Sequence, residues 1–250
     1  MTFEDLINLY DALMADGKTE EAGKFLKAAL IKAKESENKA FELSVQNEMV
    51  GYCRQAKDKK GGLLAVTEAL SILHELGIEN TVDGGTVLLN CATALASFND
   101  VEKSIECFDR AIVSYEKNLD PSDKLFAALY NNSSAVYELK GDYEKAEELC
   151  VKALSILEKY NDLMDKAVTF VNLARLYHRQ RRNEEEIAEM FRKSLECLNS
   201  PDAVWDTYYA HTCRKCAGAF EDAGLKEEAK ELMDRVNEVM ESMSGGEDDN

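Results

Sequence analysis

The sequence predicts an all-α chain, a solenoid of about six antiparallel helix pairs, and three observations carry that expectation. The segment ALSIL stands twice, at 69–73 and at 153–157, an offset of 84 residues that is twice 42, and a fixed period marks a stack of repeated units. Only two prolines occur in 250 residues, and apolar residues fall at helical spacing almost end to end, with no convincing strand run. One position, small in all but one copy, recurs as Ala22, Gly62, Ser104, Ala146, Ile187 and Ala229, at intervals of 40, 42, 42, 41 and 42.

The first pair, 2–38, bends at Gly17-Lys18-Thr19 and carries Ala22, Leu26 and Ala29 on its second helix. Gly17-Lys18-Thr19 ends like a phosphate-binding loop, but the glycine needed five residues earlier is Ala12 and no strand precedes it, so an interhelical turn is expected. The second pair, 41–78, has Gly61 and Gly62 at a turn or helix start, then Val66 and Ala69. The third, 84–120, opens at Gly84-Gly85 and sets Ser104, Phe108 and Ala111 on its second helix. The fourth, 121–160, is the clearest copy: Tyr130, Ser133, Ser134 and Tyr137, the turn Lys140-Gly141-Asp142, then Ala146, Cys150 and Ala153. The fifth, 163–199, departs at Ile187, and its turn Arg181-Arg182-Asn183 reads one residue long; Phe191 and Ser194 resume the pattern. The sixth, 201–243, ends in a helix whose stripe is Leu225, Ala229, Leu232, Met233, Val236 and Met240, opposite the acidic face that a solvated end cap needs. Asp120-Pro121 and Ser200-Pro201 are expected to open the first helices of the fourth and sixth pairs, proline at the first helical position behind a capping side chain. Residues 244–250 are expected to form a disordered acidic tail.

These spacings resemble the tetratricopeptide repeat, a pair of antiparallel helices with small and aromatic residues at fixed sites. The resemblance implies a right-handed superhelix covering 1–243 as one domain. The period near 42 and the Asn-Asn of AALYNNSSAVYELKGDYEKAEELCVKALSILEKY are similar to the long repeats of kinesin light chains and of many bacterial tetratricopeptide proteins. Small residues such as Ala146 and Ala153 let helices approach, while Tyr137 and its equivalents Leu13, Leu95, Tyr177 and Phe220 fill the space between them.

Composition narrows the function. A formal charge of -18 repels polyanions, so neither nucleic acid nor an anionic membrane is an expected partner. No apolar run approaches the ~20 residues that span a bilayer, and the first ten residues lack the basic start of a secretory signal. Seven scattered cysteines read as reduced thiols, which places the chain in the cytoplasm, with a monomer favoured. His211, Cys213 and Cys216 have the residue types of a zinc site, yet both thiols fall on inward packing positions matching Tyr130 and Ser133, so no metal and no cofactor is expected. His74 and His178 stand without catalytic partners, and pairs such as Glu147-Glu148 read as surface charge, so no enzyme is expected.

In the fold that the resemblance implies, first helices line the concave side and should read a ligand. Five residues before the Tyr137-equivalent position stand Asn8, Glu48, Asn90, Asn132, Asn172 and Lys215. An asparagine amide both donates and accepts, which suits a peptide backbone or a partner helix and equally suits bridging between neighbouring repeats. Cations gather at the far end, as Arg175, Arg179, His211, Arg214 and Lys215, where they would capture a carboxylate; Arg181 and Arg182 are read as solvating a turn. Asn131, Asn172, His211 and Lys215 are similar to the carboxylate clamp of chaperone-binding tetratricopeptide domains, with Ala135 in place of an asparagine and His211 in place of a lysine. The expected function is a non-enzymatic scaffold that holds a peptide or partner helix through Asn90, Asn131, Asn132, Asn172, Arg175, Arg179, His211 and Lys215. The alternative is a peptide-responsive regulator acting on a separate effector. The first repeat is read as beginning within ten residues, so an effector domain ahead of it is not expected and any output would come from a separate protein.

Overall fold

The computed structural model describes residues 3–15 and 17–244, and among them every regular element is helical. The expected acidic tail beyond Ser244 lies outside the described residues. Two compact units divide the chain, one up to Pro121 and one from Ser122. The first holds α1 (Phe3–Ala15), α2 (Thr19–Glu35), α3 (Lys39–Gln55), α4 (Lys59–Leu76), α5 (Val82–Ser97) and α6 (Val101–Asn118). The second holds α7 (Leu125–Lys140), α8 (Tyr143–Tyr160), α9 (Leu163–Arg179), α10 (Glu184–Leu198), α11 (Thr207–Asp222) and α12 (Lys226–Ser244). Consecutive helices pair, and pairs stack on their neighbours: α3 meets α5 in the first unit, and α9 lies between α7 and α11 in the second. The fold is an all-α solenoid.

The same turn closes every pair. A residue in the left-handed region stands after each first helix: Gly17 (φ 71), Lys57 (φ 56), Asn99 (φ 65), Gly141 (φ 84), Arg181 (φ 56) and Gly224 (φ 83). The next backbone N–H then reaches back to a carbonyl five residues earlier, as in Lys18 to Leu13 (2.9 Å), Asp58 to Cys53 (2.9 Å), Asp100 to Leu95 (2.9 Å), Asp142 to Tyr137 (2.9 Å), Arg182 to Tyr177 (3.0 Å) and Leu225 to Phe220 (2.9 Å). This is the Schellman arrangement, which satisfies carbonyls that a helix end leaves open. It also assigns Cys53 as the second pair's equivalent of Tyr137. The turn between α9 and α10 has four residues, 180–183, against three in the second, third and sixth pairs, so the extra residue read at Arg181-Arg182-Asn183 is present.

Side-chain caps start the following helices. Asp58, Thr81, Asp142, Asp162, Asn183 and Asp206 each accept from the backbone N–H three residues on, each such cap contributing ~1 kcal/mol. The small second-helix position is buried at Ala22, Gly62, Ser104, Ala146 and Ala229, while Ile187 is half-buried. Ser104 is tolerated there because its hydroxyl donates to Ala92 O at 2.7 Å. Gly62 is required by its neighbour, since a Cβ would stand 2.3 Å from the Phe98 ring.

Three expectations are corrected. Neither proline opens a helix: α7 starts at Leu125 and α11 at Thr207. Pro201 instead occupies the second place of a turn closed by Ala203 N–H donating to Ser200 O at 3.0 Å, a position that its fixed φ suits, and the cap of α11 is Asp206 (Tyr209 N–H at 2.8 Å). Trp205 therefore stands in the connection ahead of α11. On α12, Met233 and Met240 are 37% and 45% exposed, while Val239, absent from the expected stripe, is buried. In the preceding pairs the Met233 position is held by Leu26, Val66, Phe108, Cys150 and Phe191, all buried. No described helix packs beyond α12, so its terminal position stays open.

Candidate functional site

In the second unit the first helices α7, α9 and α11 lie side by side and carry most of the expected ligand-reading residues. Their apolar positions, among them Leu129, Leu173 and Phe220, are buried, which fixes the rotation of each helix and turns the polar stripe outward. Asn172 is half-buried, and Arg175, Arg179, His211 and Lys215 are exposed. Asn172, Arg175 and Lys215 are brought together: with Asp222 they line a cleft of about 130 Å³ between α9 and α11, over an apolar floor that includes Val168, Val171 and Ala219. Gly218 also lines it, with open space where a Cβ would stand.

Other expected residues are placed elsewhere. Asn131 is 7% exposed, with its side-chain oxygen buried and unpaired, so it belongs to the interior of the pairing and not to the outward stripe. Asn132, one residue on, is half-buried on α7 and outside the cleft. Asn90 lies in the first unit, where its amide donates to Asn47 Oδ1 at 3.0 Å, linking α5 to α3. Bridging between neighbours is thus what this asparagine does. Arg179 stands one turn beyond Arg175 and does not line the cleft.

Charge at this face is more balanced than the sequence implied. Glu138 of α7, 8% exposed, faces both Arg175 (3.6 Å) and Arg179 (3.6 Å). It was missed, although a signal existed: equivalent positions of α7 and α9 stand 40 residues apart, as Tyr137 and Tyr177 do, so the place matching Glu138 is His178, with Arg175 and Arg179 on either side of it. Asp222 on the cleft wall was missed as well. Arg182 does more than solvate its turn. Its guanidinium lies 3.9 Å from the Tyr177 ring centroid and 2.5 Å from Glu147 of α8, which also accepts from Tyr177 Oη (3.3 Å) and Gln180 Nε2 (3.3 Å). Glu147 is therefore a junction between two pairs, not plain surface charge.

All seven cysteines are buried. Burial pushes the thiols up, to about 11 at Cys107 and Cys150 and to about 12 at Cys216, away from the thiolate that nucleophiles and metal ligands require. Cys213 and Cys216 face the interior while His211 is exposed, so the three do not converge. Among the described residues no group of three or more potential ligands is placed to hold a metal ion, and no helix is long and apolar enough to cross a membrane.

Residues 125–200, which form α7 to α10, match the tetratricopeptide repeat family model. The tetratricopeptide match thus rests on this segment of the second unit. Solved structures agree on the fold. The tetratricopeptide-like repeats of a Podosopora anserina protein described as a kinesin light chain align with a TM-score of 0.59 at 16% identity, covering 83% of this chain and 98% of that one. BtubC from P. vanneervenii gives 0.59 at 15%, covering 91% and 92%. PlcR of Bacillus thuringiensis, solved with the peptide PapR7 and DNA, gives 0.57 at 16%, covering 79% and 69%.

Proposed function

We propose that the chain is a non-enzymatic scaffold whose α9–α11 face binds a peptide, with a carboxylate of that peptide entering the cleft. The supporting observation is that Asn172, Arg175 and Lys215 line one cleft beside an apolar floor. An amide there donates to one peptide carbonyl and accepts from one peptide N–H, while the cations hold a carboxylate through charge-assisted bonds. The 3.6 Å contact of Arg175 with Glu138 is longer than a hydrogen bond, so an incoming carboxylate competes for that guanidinium on favourable terms. Asp222 repels a second acid, which favours a ligand with a single carboxylate at this point. The seven buried thiols accord with a reducing cytoplasmic setting, and the net charge favours a protein ligand over nucleic acid.

Peptides selected from a random library against the wild type provide the test. Asn172→Ala combined with Lys215→Glu is expected to weaken them by at least about tenfold, given what exposed-to-half-buried charged contacts contribute to binding. Equal affinity for the wild type and the double variant refutes the assignment. A second reading, a peptide-responsive regulator acting on a separate effector, is favoured by the fold shared with PlcR, which was solved with a peptide and DNA. Small-angle scattering with the selected peptide should then show contraction; an unchanged profile counts against a switch.

A further inference from the structure

A second cleft lies at the sixth pair and shares no lining residue with the first. The connection between α10 and α11, residues 199–206, is the longest of the described interhelical segments, and it carries the chain's single tryptophan. Trp205 stacks on the buried Tyr209 (centroids 4.9 Å apart, planes 15° apart) and remains 48% exposed. Tyr209 is itself fixed: its hydroxyl donates to Leu198 O at 3.2 Å and accepts from Arg235 Nη1 at 3.1 Å. The indole is thus mounted on a rigid base at the edge of an open cleft of about 430 Å³, whose opposite wall is α12.

That wall supplies Glu231, Asp234, Arg235 and Glu238. Arg235 is taken up by Glu231 (2.5 Å) and Tyr209, and its guanidinium carbon lies 5.8 Å from the Trp205 ring centroid, so the half-exposed indole already draws one cation from its own chain. Asp234 and Glu238 are exposed, one helical turn apart, and no ion pair or hydrogen bond engages them among the described residues. Three carboxylates against one guanidinium leave two negative charges beside an aromatic face. An exposed indole is costly to keep in water and attracts a cation over its ring. The planar, weakly hydrated guanidinium suits such a site better than an ammonium, because it stacks on the ring while its edge donates to carboxylates.

We propose that this cleft docks an arginine side chain from a basic segment of a protein partner, with Trp205 stacking on the guanidinium and Asp234 and Glu238 accepting its N–H groups. The site is independent of the α9–α11 face. Because Trp205 is the only indole, its fluorescence reports occupancy directly.

The probe is a short capped peptide with one arginine between alanine and glycine residues, compared with its citrulline and lysine counterparts by Trp205 fluorescence and by calorimetry on the full chain. The arginine peptide is expected to bind at least several-fold more tightly than either counterpart. Asp234→Asn with Glu238→Gln should weaken it about tenfold, whereas the matched neutralisation Glu184→Gln with Glu185→Gln on α10 should leave it unchanged. Lys215→Glu should also leave it unchanged, which separates this site from the peptide face. Equal binding of the citrulline or lysine peptide overturns the proposal. So does equal weakening by the two double neutralisations, which would mean attraction by the general acidity of the chain.

Discussion

Burial sets the behaviour of Glu48, the repeat-two member of the asparagine stripe. Half-buried on α3, its carboxyl is held above the usual range first by desolvation and then by the Asp11 carboxylate, with the Asn47 amide opposing. A carboxyl whose folded pKa exceeds its unfolded one stabilises the fold below the unfolded value and loses that contribution as pH rises through the folded one. Glu48→Gln is therefore expected to raise Tm at pH 7 and to change it little near pH 4. Thermal melts at the two pH values check this, and an equal shift at both contradicts it. Residue types at this scale were legible from periodicity, but their pairings were not. Asn90 and Asn172 occupy equivalent positions, yet Asn90 is engaged by Asn47 and Asn172 lines a cleft. The difference depends on what the neighbouring helix presents, and one helix's sequence does not encode its neighbour. Glu138 shows the same limit, because its role exists only once Arg175 and Arg179 stand beside it.

The helical character of the chain was legible because caps, left-handed turns and apolar spacing are local signals, whereas the starts of α7 and α11 were not. Pro121 and Pro201 misled because proline is equally at home in the first turn of a helix and at the second place of a β-turn; Asp206, with its backbone acceptor role, decides between them. At the small position Gly62 illustrates competing magnitudes. Alanine would gain roughly 0.8–1 kcal/mol of helix propensity, but a Cβ 2.3 Å from the buried Phe98 ring forces repacking that costs roughly 1–3 kcal/mol. Gly62→Ala is accordingly expected to lower stability in urea denaturation, and a gain would show that Phe98 gives way freely. Equivalent positions should also diverge at the end of the solenoid. Phe108→Ala should cost roughly 3–5 kcal/mol, whereas Met233→Ala, 37% exposed, should stay within about 0.5 kcal/mol. A comparable loss at Met233 would mean that something covers α12.

Over the whole molecule the repeat architecture was the most legible property, since a period sampled six times averages out local departures such as Ile187. Ligand identity was the least legible, because the stripe residues vary from one repeat to the next by design of the surface and not of the fold. The charge of -18 bears on stability at this scale. Self-repulsion is screened as the Debye length falls from ~30 Å at 0.01 M salt to ~8 Å at 0.15 M. The many exposed ion pairs, such as Lys24 with Glu20, weaken together with it but each contributes little, being fully solvated. Tm should therefore rise with sodium chloride over this range, and a fall would mean that the ion pairs outweigh the net charge. The six recurring turns have a kinetic meaning as well. Each closes a hydrogen-bonded reversal within six residues, and most partners of any helix lie within about one repeat along the chain, so little loop entropy must be lost before a pair begins to form. No repeat has to wait for the two ends of the protein to meet, and folding is free to start at whichever turn closes first and to spread from pair to pair.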